Sequence, residues 1–206
     1  MVTELSDHPL LQHQLTILRD VSTDASAFRQ ACSGMTQILV AEAAKSLKVE
    51  TRTVQTPLEE AEGYRIAGSV VFVPILRAGL GMLDDAMATI PESSVGYIGL
   101  ERDESTAVAS CYYAKMPELD PDSQVFVLDP MLATGGSAVQ CVDQLKQSGA
   151  KKVSMICVIA APEGIACLRE AHPDVPVVAG KIDRELNHQK YILPGLGDFG
   201  DRLFNT

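Results

Sequence analysis

Residues 125–145 read VFVLDPMLATGGSAVQCVDQL, and this stretch decides the fold that the sequence predicts. An apolar run ends at Asp129 and Pro130, and residues 133–137, which we call the glycine turn, lead into an amphipathic segment. This order is typical of a buried strand, a tight turn and the start of a helix. The free backbone N–H groups of such a turn, together with the helix dipole, suit one phosphate monoester.

Asp129 stands beside this predicted anion site, although a second negative charge there repels phosphate. At the end of a strand its carboxylate can accept hydrogen bonds from sugar hydroxyls, so the two groups together predict a ribose 5-phosphate. Thr134 and Ser137 add hydroxyl groups to the turn. No lysine follows the glycines, which excludes a Walker A loop. The alternative is an ordinary strand, turn and helix in which a hydroxyl group caps the helix.

The rest of the chain alternates between two patterns. Short apolar runs predict buried strands at 69–76, 95–100, 124–129, 152–160 and 175–180. Helical spacing of apolar residues predicts helices at 24–48, 79–90, 136–150 and 162–172. This alternation predicts an α/β fold with a central, mostly parallel sheet flanked by helices, in a single domain over residues 1–206. Ligands of such sheets bind at the carboxyl ends of the strands.

Two further loops follow predicted strands and carry arginines. In VPILRAGLGM, residues 73–82, Arg77 precedes two glycines, and a guanidinium beside exposed backbone amides can bind a cluster of anionic oxygens. In the loop 99–116, Arg102 is placed to swing over a bound ligand. The alternative for both arginines is a solvated surface charge.

The segment 191–206, YILPGLGDFGDRLFNT, is the tail of the chain. It contains the letters GxGxxG at 195–200, but only six residues follow, so we expect no helix there and no dinucleotide fingerprint. Glycines let a backbone approach a flat ligand closely. The tail therefore predicts a loop that binds a base through main-chain groups.

Composition limits the class of protein. There are 17 Lys plus Arg against 27 Asp plus Glu, a net charge of −10, which argues against a nucleic-acid-binding face. The five cysteines form no CxxC pair and lie in apolar or helical patterns, so we expect buried free thiols. No apolar run reaches the roughly 18 residues of a membrane helix, and the N-terminus lacks a signal-peptide pattern. These features predict a soluble, cytoplasmic protein.

Five motifs, VPILRAGLGM, VLDPMLATGGSA, AAPEGI, AHPDV and YILPGLGDFGD, together resemble the uracil phosphoribosyltransferases nearly end to end. The Asp-Pro pair in the phosphate loop is telling, because the wider phosphoribosyltransferase group usually has two adjacent acids there. Pro-Gly-Leu-Gly-Asp near the C-terminus resembles the base-binding signature of the uracil enzymes. The resemblance implies a type I phosphoribosyltransferase fold with a core of about 65–180 and a small hood from the N-terminal segment and 181–206.

The resemblance also implies a reaction. Uracil and 5-phospho-α-D-ribose 1-diphosphate would give UMP and diphosphate, as in pyrimidine salvage. Mg²⁺ would be the cofactor, held mainly by substrate oxygens and water rather than by protein ligands. A homodimer or homotetramer is implied, and GTP is a candidate effector because some relatives are activated by it.

Each predicted site residue takes a role from the resemblance. Arg77 and Arg102 would neutralise the diphosphate, Asp129 would bind the sugar hydroxyls, and Asp198 would reach the sugar or its metal-bound diphosphate. Phosphoribosyl diphosphate would further contact Pro130, Met131, Leu132, Ala133, Thr134, Gly135, Gly136 and Ser137. Uracil would be read by Ile192, Gly197, Asp198 and Phe199, the last of which stands where many relatives have a small residue. No nucleophile is needed, because catalysis would rest on positioning and charge stabilisation.

Two alternatives remain at this point. A regulator with the same fold, which senses nucleotides and binds RNA, would need a basic face for the phosphate backbone. A transferase for another base, a purine or orotate, is the other alternative. Orotate would require an extra cation beside the glycine-rich base loop at 195–200, and Lys190 and Arg202 flank that loop in sequence.

Overall fold

The structure, a computed structural model, describes the backbone of residues 1–102 and 109–206 and the side chains of residues 1–99 and 113–206. The helices in this part of the chain are α1 (Pro9–Arg19), α2 (Ala25–Ala43), α3 (Leu80–Thr89), α4 (Gly136–Gln147), α5 (Pro162–Ala171) and α6 (Phe199–Phe204). The strands are β1 (Val2–Glu4), β2 (Val49–Gln55), β3 (Glu60–Ile66), β4 (Val70–Pro74), β5 (Ser94–Val95), β6 (Tyr97–Arg102), β7 (Ala109–Lys115), β8 (Gln124–Leu128), β9 (Met131–Leu132), β10 (Lys152–Ala160), β11 (Val177–Ile182), β12 (Glu185–Leu186) and β13 (Ile192–Leu193).

The central sheet has the strand order β1–β11–β10–β8–β4–β5, and β9 also pairs with β10. All of these pairs are parallel. Because successive side chains of a strand point to opposite faces, β4 and β8 contribute to two hydrophobic clusters. Phe72 and Phe126 pack with α2 and α3, whereas Val73 and Val127 pack with α4 and α5. The predicted sheet with helices on both faces is confirmed.

Helix α2 shows why the sequence pattern succeeds. Asp24 caps its start, since the carboxylate accepts a hydrogen bond of 2.8 Å from the N–H of Ala27. Phe28, Met35 and Leu39 lie on one face and are fully buried in the first of the two clusters. The α-helix ends at Ala43, before the predicted end at 48, and continues as a short 3-10 turn.

The prediction of one buried strand at 95–100 is wrong. β5 pairs with β4 in the sheet, whereas β6 pairs antiparallel with β7 and keeps only an isolated parallel bridge, from Ile98 to Ile75, to the segment after β4. Gly96 lies between them, and a Cβ there would collide with the sulfur of Met116. Glycine at this break between the two strands therefore leaves room for the side chain of Met116.

Three antiparallel pairs, β2–β3, β6–β7 and β12–β13, lie outside the central sheet. Antiparallel pairs outside the sheet are consistent with the predicted hood, and β12–β13 lies within the C-terminal part of that hood, 181–206. The N-terminal segment also supplies β1 to the edge of the sheet. The predicted division between a core of about 65–180 and the hood stays a prediction.

The tail contains a helix, so the expectation of none after the glycines is wrong. Asp198 caps α6, accepting a hydrogen bond of 2.9 Å from the N–H of Asp201. A capping aspartate three residues before another acid was the available signal. With six residues, α6 is a single short element that closes the loop.

The cysteine prediction holds for three of the described thiols. Cys32, Cys141 and Cys157 are buried thiols that form no disulfide bond, whereas the thiol of Cys167 is only partly buried, because α5 carries it at the surface beside the glycine turn. The side chain of Cys111 lies outside the described residues. In the described part of the chain, no helix has the length and apolar character needed to cross a membrane.

Candidate active site

The glycine turn is built as the sequence predicts. β8 ends at Leu128, and the chain passes through β9 and the turn into α4. Gly135 occupies the N-cap position with φ of 85°, and it has no side chain that could cap the helix. The first N–H groups of α4 are therefore left for a ligand. They face a cavity of about 170 Å³, the turn cavity, lined by Asp129, residues 131–138 and Lys190.

The turn packs directly on the first turn of α5. A Cβ on Gly135 would lie 2.8 Å from both the carbonyl oxygen of Gly164 and Cβ of Cys167. In return, a Cβ on Gly164 would lie 2.7 Å from the carbonyl oxygen of Leu132. Real Cβ atoms do not approach backbone this closely, so only glycines allow the contact. The backbone of the turn is thereby held in one position.

Asp129 lies at the end of β8 and lines the turn cavity. It keeps part of its surface open to the cavity, and its Oδ1 accepts a 3.3 Å hydrogen bond from the N–H of Met131. Burial raises the pKa of Asp129 to about 7, against the opposing effect of the Met131 hydrogen bond. No ion pair among the described residues includes this carboxylate. A buried carboxyl group with a shifted pKa is a frequent mark of a functional site.

A second cavity of about 220 Å³, the tail cavity, lies beside the first. The two cavities share three lining residues, Met131, Ala133 and Lys190. The rest of the tail cavity is lined by Ala78, Tyr191, Ile192, Gly197, Asp198, Phe199 and Gly200. The structure thus brings the predicted phosphate-binding and base-binding segments together, although they are about 60 residues apart in sequence.

The tail presents mainly backbone to its cavity. Ile192 is 3% exposed and Phe199 is 1% exposed, and the ring of Phe199 packs edge to face on Phe28 at 5.1 Å between centroids. Gly197 has φ of 83°, which favours glycine. The large residue at 199 therefore fills the core, and we expect its main chain to face a ligand.

Arg202 holds the tail against the N-terminal segment. Its guanidinium donates hydrogen bonds to the carbonyl oxygens of Leu196 (2.9 Å), Asp20 (2.6 Å) and Leu18. It also lies over the ring of Phe28, 4.6 Å from the centroid. With these contacts Arg202 is a structural clamp, not the additional cation that an orotate site requires.

The sequence reading missed a second anchor of the tail. Asp183 is buried, and its carboxylate pairs with Arg19 at 2.5 Å and accepts a 3.0 Å hydrogen bond from the N–H of Gly195. The available signal was an aspartate directly after a buried strand, the same pattern that singled out Asp129. The start of the glycine-rich tail is thus tied through Asp183 to the end of α1.

The predicted site residues outside the cavities are placed as follows. Arg77 follows β4, and its exposed Nη2 lies 3.8 Å from Oδ1 of Asp201; the Leu76–Arg77 peptide bond is cis. The backbone of Arg102 ends β6, but its side chain lies outside the described residues. Pro130 is buried, and its carbonyl oxygen accepts hydrogen bonds from backbone N–H groups of β10.

The parallel sheet and the glycine turn at the carboxyl ends of its strands define a phosphoribosyltransferase of the type I fold. The purine phosphoribosyltransferase of Pyrococcus horikoshii aligns over 91% of this chain and 94% of its own, with a TM-score of 0.50 at 14% identity, a likeness of fold. A solved structure of a protein from Aquifex aeolicus aligns over 99% and 98%, with a TM-score of 0.93 at 38% identity.

The family model for uracil phosphoribosyltransferase matches residues 5–206. The uracil phosphoribosyltransferase of Ligilactobacillus salivarius is 47% identical over 98% of both chains, and that of Thermosipho africanus is 48% identical over 100% of both. The chain belongs to the uracil phosphoribosyltransferase family. This confirms the resemblance that the five motifs carry, and it does not favour the RNA-binding alternative.

Two glycines test whether the turn is the anion site. Gly135→Ala is expected to weaken binding of ribose 5-phosphate at least about 10-fold, because the new Cβ displaces N–H groups that each contribute about 1.5–3 kcal/mol to an anion. Gly149→Ala is the matched control: Gly149 also has positive φ, 95°, but nothing lies within 4 Å of a Cβ there. Isothermal titration calorimetry and thermal unfolding compare the two. Equal affinities would show that the turn does not bind the phosphate.

Proposed function

We propose that the protein transfers the 5-phosphoribosyl group of 5-phospho-α-D-ribose 1-diphosphate to N1 of uracil, forming UMP and diphosphate. The observation that carries the proposal is the contact between the two cavities, one suited to a phosphate and the other lined by the tail. Membership of the uracil phosphoribosyltransferase family supports the same reaction. The enzyme would thus be a glycosyltransferase of pyrimidine salvage.

The 5-phosphate would occupy the turn cavity. Backbone N–H groups at the start of α4 and the hydroxyl groups of Thr134 and Ser137 would donate hydrogen bonds to its oxygens. The positive end of the α4 dipole adds to the attraction. Close packing on α5 means that these donors need little reorganisation when the anion arrives.

Asp129 would bind the sugar hydroxyls beside the phosphate. Its carboxylate accepts only one hydrogen bond among the described residues, so it retains acceptor capacity for a ligand. The ionised form is the stronger acceptor, whereas burial favours the neutral form. Binding of the sugar would replace part of the lost hydration and so favour ionisation of Asp129.

Uracil would occupy the tail cavity. The imide edge of uracil alternates carbonyl acceptors with an N–H donor, which backbone groups can match. The main chain at Gly197, Asp198 and Phe199 lines the cavity, and buried Ile192 adds an apolar wall. The buried contacts of Asp183 and Arg202 would hold this backbone in register. Selection of the base would therefore rest on main-chain position rather than on a charged side chain.

In the proposed transfer, the bond from C1′ to the diphosphate oxygen breaks, a bond from N1 of uracil to C1′ forms, and the N1 proton passes to solvent water. Negative charge grows on the departing diphosphate, and positive charge grows on the ribose. Arg77 and Arg102 would stabilise the diphosphate, and Asp198, exposed at the edge of the tail cavity, would face the ribose or its diphosphate. The residues named here position and stabilise charge, and none forms a covalent bond.

Mg²⁺ belongs to the proposal as cofactor. A hard cation prefers oxygen ligands and retains water, so diphosphate oxygens would be its main ligands. Within the described residues, no group of three His, Cys, Asp or Glu side chains is placed to hold a metal ion. Asp129 and Asp198 are the carboxylates that line the two cavities and could meet such an ion. When bound, Mg²⁺ would neutralise charge on the diphosphate.

We also propose a cytoplasmic homodimer or homotetramer, with GTP as a candidate effector, on the strength of the family resemblance. One structural observation supports self-association. The β2–β3 hairpin exposes Val49, Leu58 and Tyr64, at 60%, 94% and 62%. An isolated two-stranded hairpin is marginally stable in water, so a second surface would stabilise it.

The decisive assay measures UMP and other nucleotides formed from phosphoribosyl diphosphate and Mg²⁺, with uracil, orotate, hypoxanthine and adenine offered in parallel, with and without GTP. We expect product with uracil alone. Product with another base in place of uracil, or no product while the diphosphate substrate still binds, would contradict the proposed function. Omission of Mg²⁺ tests the cofactor in the same assay.

Arg77 supplies a second prediction. Arg77→Ala is expected to lower kcat/KM for phosphoribosyl diphosphate by a factor that corresponds to about 2–4 kcal/mol of activation free energy. The reason is that the negative charge on the leaving diphosphate loses a preorganised partner. Arg184→Ala is the control: Arg184 is also exposed, 67% against 68% for Arg77, pairs with Glu185 and lines neither cavity. Similar kinetics of the two variants would remove Arg77 from the site.

Asp129 predicts a pH dependence of catalysis. Because its raised pKa is about 7, kcat/KM for phosphoribosyl diphosphate should rise between about pH 6 and pH 8, as the free enzyme becomes ionised at this residue. Asp129→Asn should lower kcat/KM and remove this rise. A wild-type profile that stays flat across this range would contradict the assignment.

The same pKa fixes the sign of a stability effect. In the folded protein the pKa of Asp129 is about 7, above its ordinary value of 3.8. Protonation of this group therefore stabilises the fold at low pH, and that stabilisation is lost as pH rises from about 4 to 7. Asp129→Asn should therefore raise the free energy of unfolding at pH 8 by roughly 1–3 kcal/mol and change it little at pH 4. Urea unfolding at both pH values measures this difference.

A further inference from the structure

Lys190 lies where the two cavities meet. It lines both the turn cavity and the tail cavity. It belongs to the loop 187–191, which joins β12 to β13 and is exposed over much of its length. The roles proposed above for phosphate, sugar and base do not use it.

The backbone at Lys190 is fixed by its own loop. The side-chain oxygen of Asn187 accepts hydrogen bonds of 2.9 Å from the N–H groups of Gln189 and Tyr191. The N–H of Lys190 donates to the backbone carbonyl oxygen of Asn187, also at 2.9 Å. These three hydrogen bonds close a tight turn with Lys190 at its tip. The side chain therefore leaves from a preorganised position.

The conformation at this tip favours a different residue. Lys190 has φ of 68°, in the left-handed region, where glycine is free of strain and a lysine is not. Only one other non-glycine residue with positive φ is found in the described chain, Asn205, which ends α6. Backbone strain beside a ligand cavity is a reason to look for a function of the side chain.

The charges around the cavities point to that function. Lys190 is the only lysine or arginine among the lining residues of the two cavities as described, and Asp129 and Asp198 are the acids. No ion pair of the described residues includes Lys190. The pKa of Glu163 is lowered, mainly by the hydrogen bond from the N–H of Leu186, with a smaller contribution from the charge of Lys190. The charge of Lys190 therefore acts on Glu163 at the start of α5, and its residue lines both cavities.

We infer that Lys190 binds the 5-phosphate of the substrate as a cation at the open side of the glycine turn. This inference rests on the proposed function, in which the turn cavity holds that phosphate. Neutral backbone donors and hydroxyl groups supply no net charge, so a lysine opposite them would offset one of the two negative charges of the phosphate. The charge of the 5-phosphate does not change in the reaction, so Lys190 contributes equally to ground state and transition state. Its loss raises KM and leaves kcat nearly constant.

Lys190→Gly is the informative variant because glycine relieves the backbone at φ of 68° while it removes the charge. We expect KM for phosphoribosyl diphosphate and Kd for ribose 5-phosphate to rise about 5- to 30-fold, the range of one charge-assisted hydrogen bond at a partly exposed site. We expect kcat within about twofold of wild type and no decrease in Tm. Lys190→Arg should retain most of the affinity, because it keeps the charge.

His188→Ala is the matched control, since His188 lies in the same loop and lines neither cavity. Lys190→Gln serves if the glycine variant unfolds. If the wild-type enzyme is active and the Lys190 variants have unchanged KM and Kd, the role of Lys190 is wrong and the proposed function is unaffected. Calorimetry with ribose 5-phosphate separates the two proposals: if wild type makes no UMP but binds this probe more tightly than Lys190→Gly, the reaction is wrong and the anion contact stands. No binding of the probe to wild type would overturn the contact.

Discussion

The close approach of the glycine turn to the first turn of α5 is the constraint on which the site depends. Gly135 faces the carbonyl oxygen of Gly164, and Gly164 faces the carbonyl oxygens of the turn, so neither position has room for a side chain. This mutual contact fixes the direction of the N–H groups at the start of α4. It also places β9 beside β10 and brings Met131 and Ala133 to the boundary between the cavities. An anion site and a base site can therefore share one wall.

Two features of the site destabilise the ligand-free protein. Asp129 is partly buried and has no cationic partner among the described residues, and Lys190 occupies a backbone conformation that lysine disfavours. Both features cost free energy when nothing is bound, and both suit a ligand that carries hydroxyl groups and a phosphate. A ligand that meets them recovers this free energy on binding, so binding should also stabilise the protein.

The sequence predicts local patterns well and long-range ones poorly. The strand, turn and helix around Asp129 follow from 21 consecutive residues, and four buried strands and four helices follow from apolar periodicity. The exposed β2–β3 hairpin has no apolar pattern, and the change of pairing partner between β5 and β6 occurs within one apolar run that periodicity cannot divide. The roles of Asp183 and Arg202 depend on partners more than 160 residues away in sequence. Spacing carries no information about contacts of that kind.

The clamp at Arg202 also has a consequence for biosynthesis. The tail cavity takes shape only when the tail docks on the end of α1, whereas the glycine turn and α5 precede it in the chain. Because a domain generally folds as one unit, the base site is complete only after the tail has been synthesised and has docked on α1. Discrimination among bases therefore depends on the last residues of the chain to be made, whereas the glycine turn is encoded about 60 residues earlier.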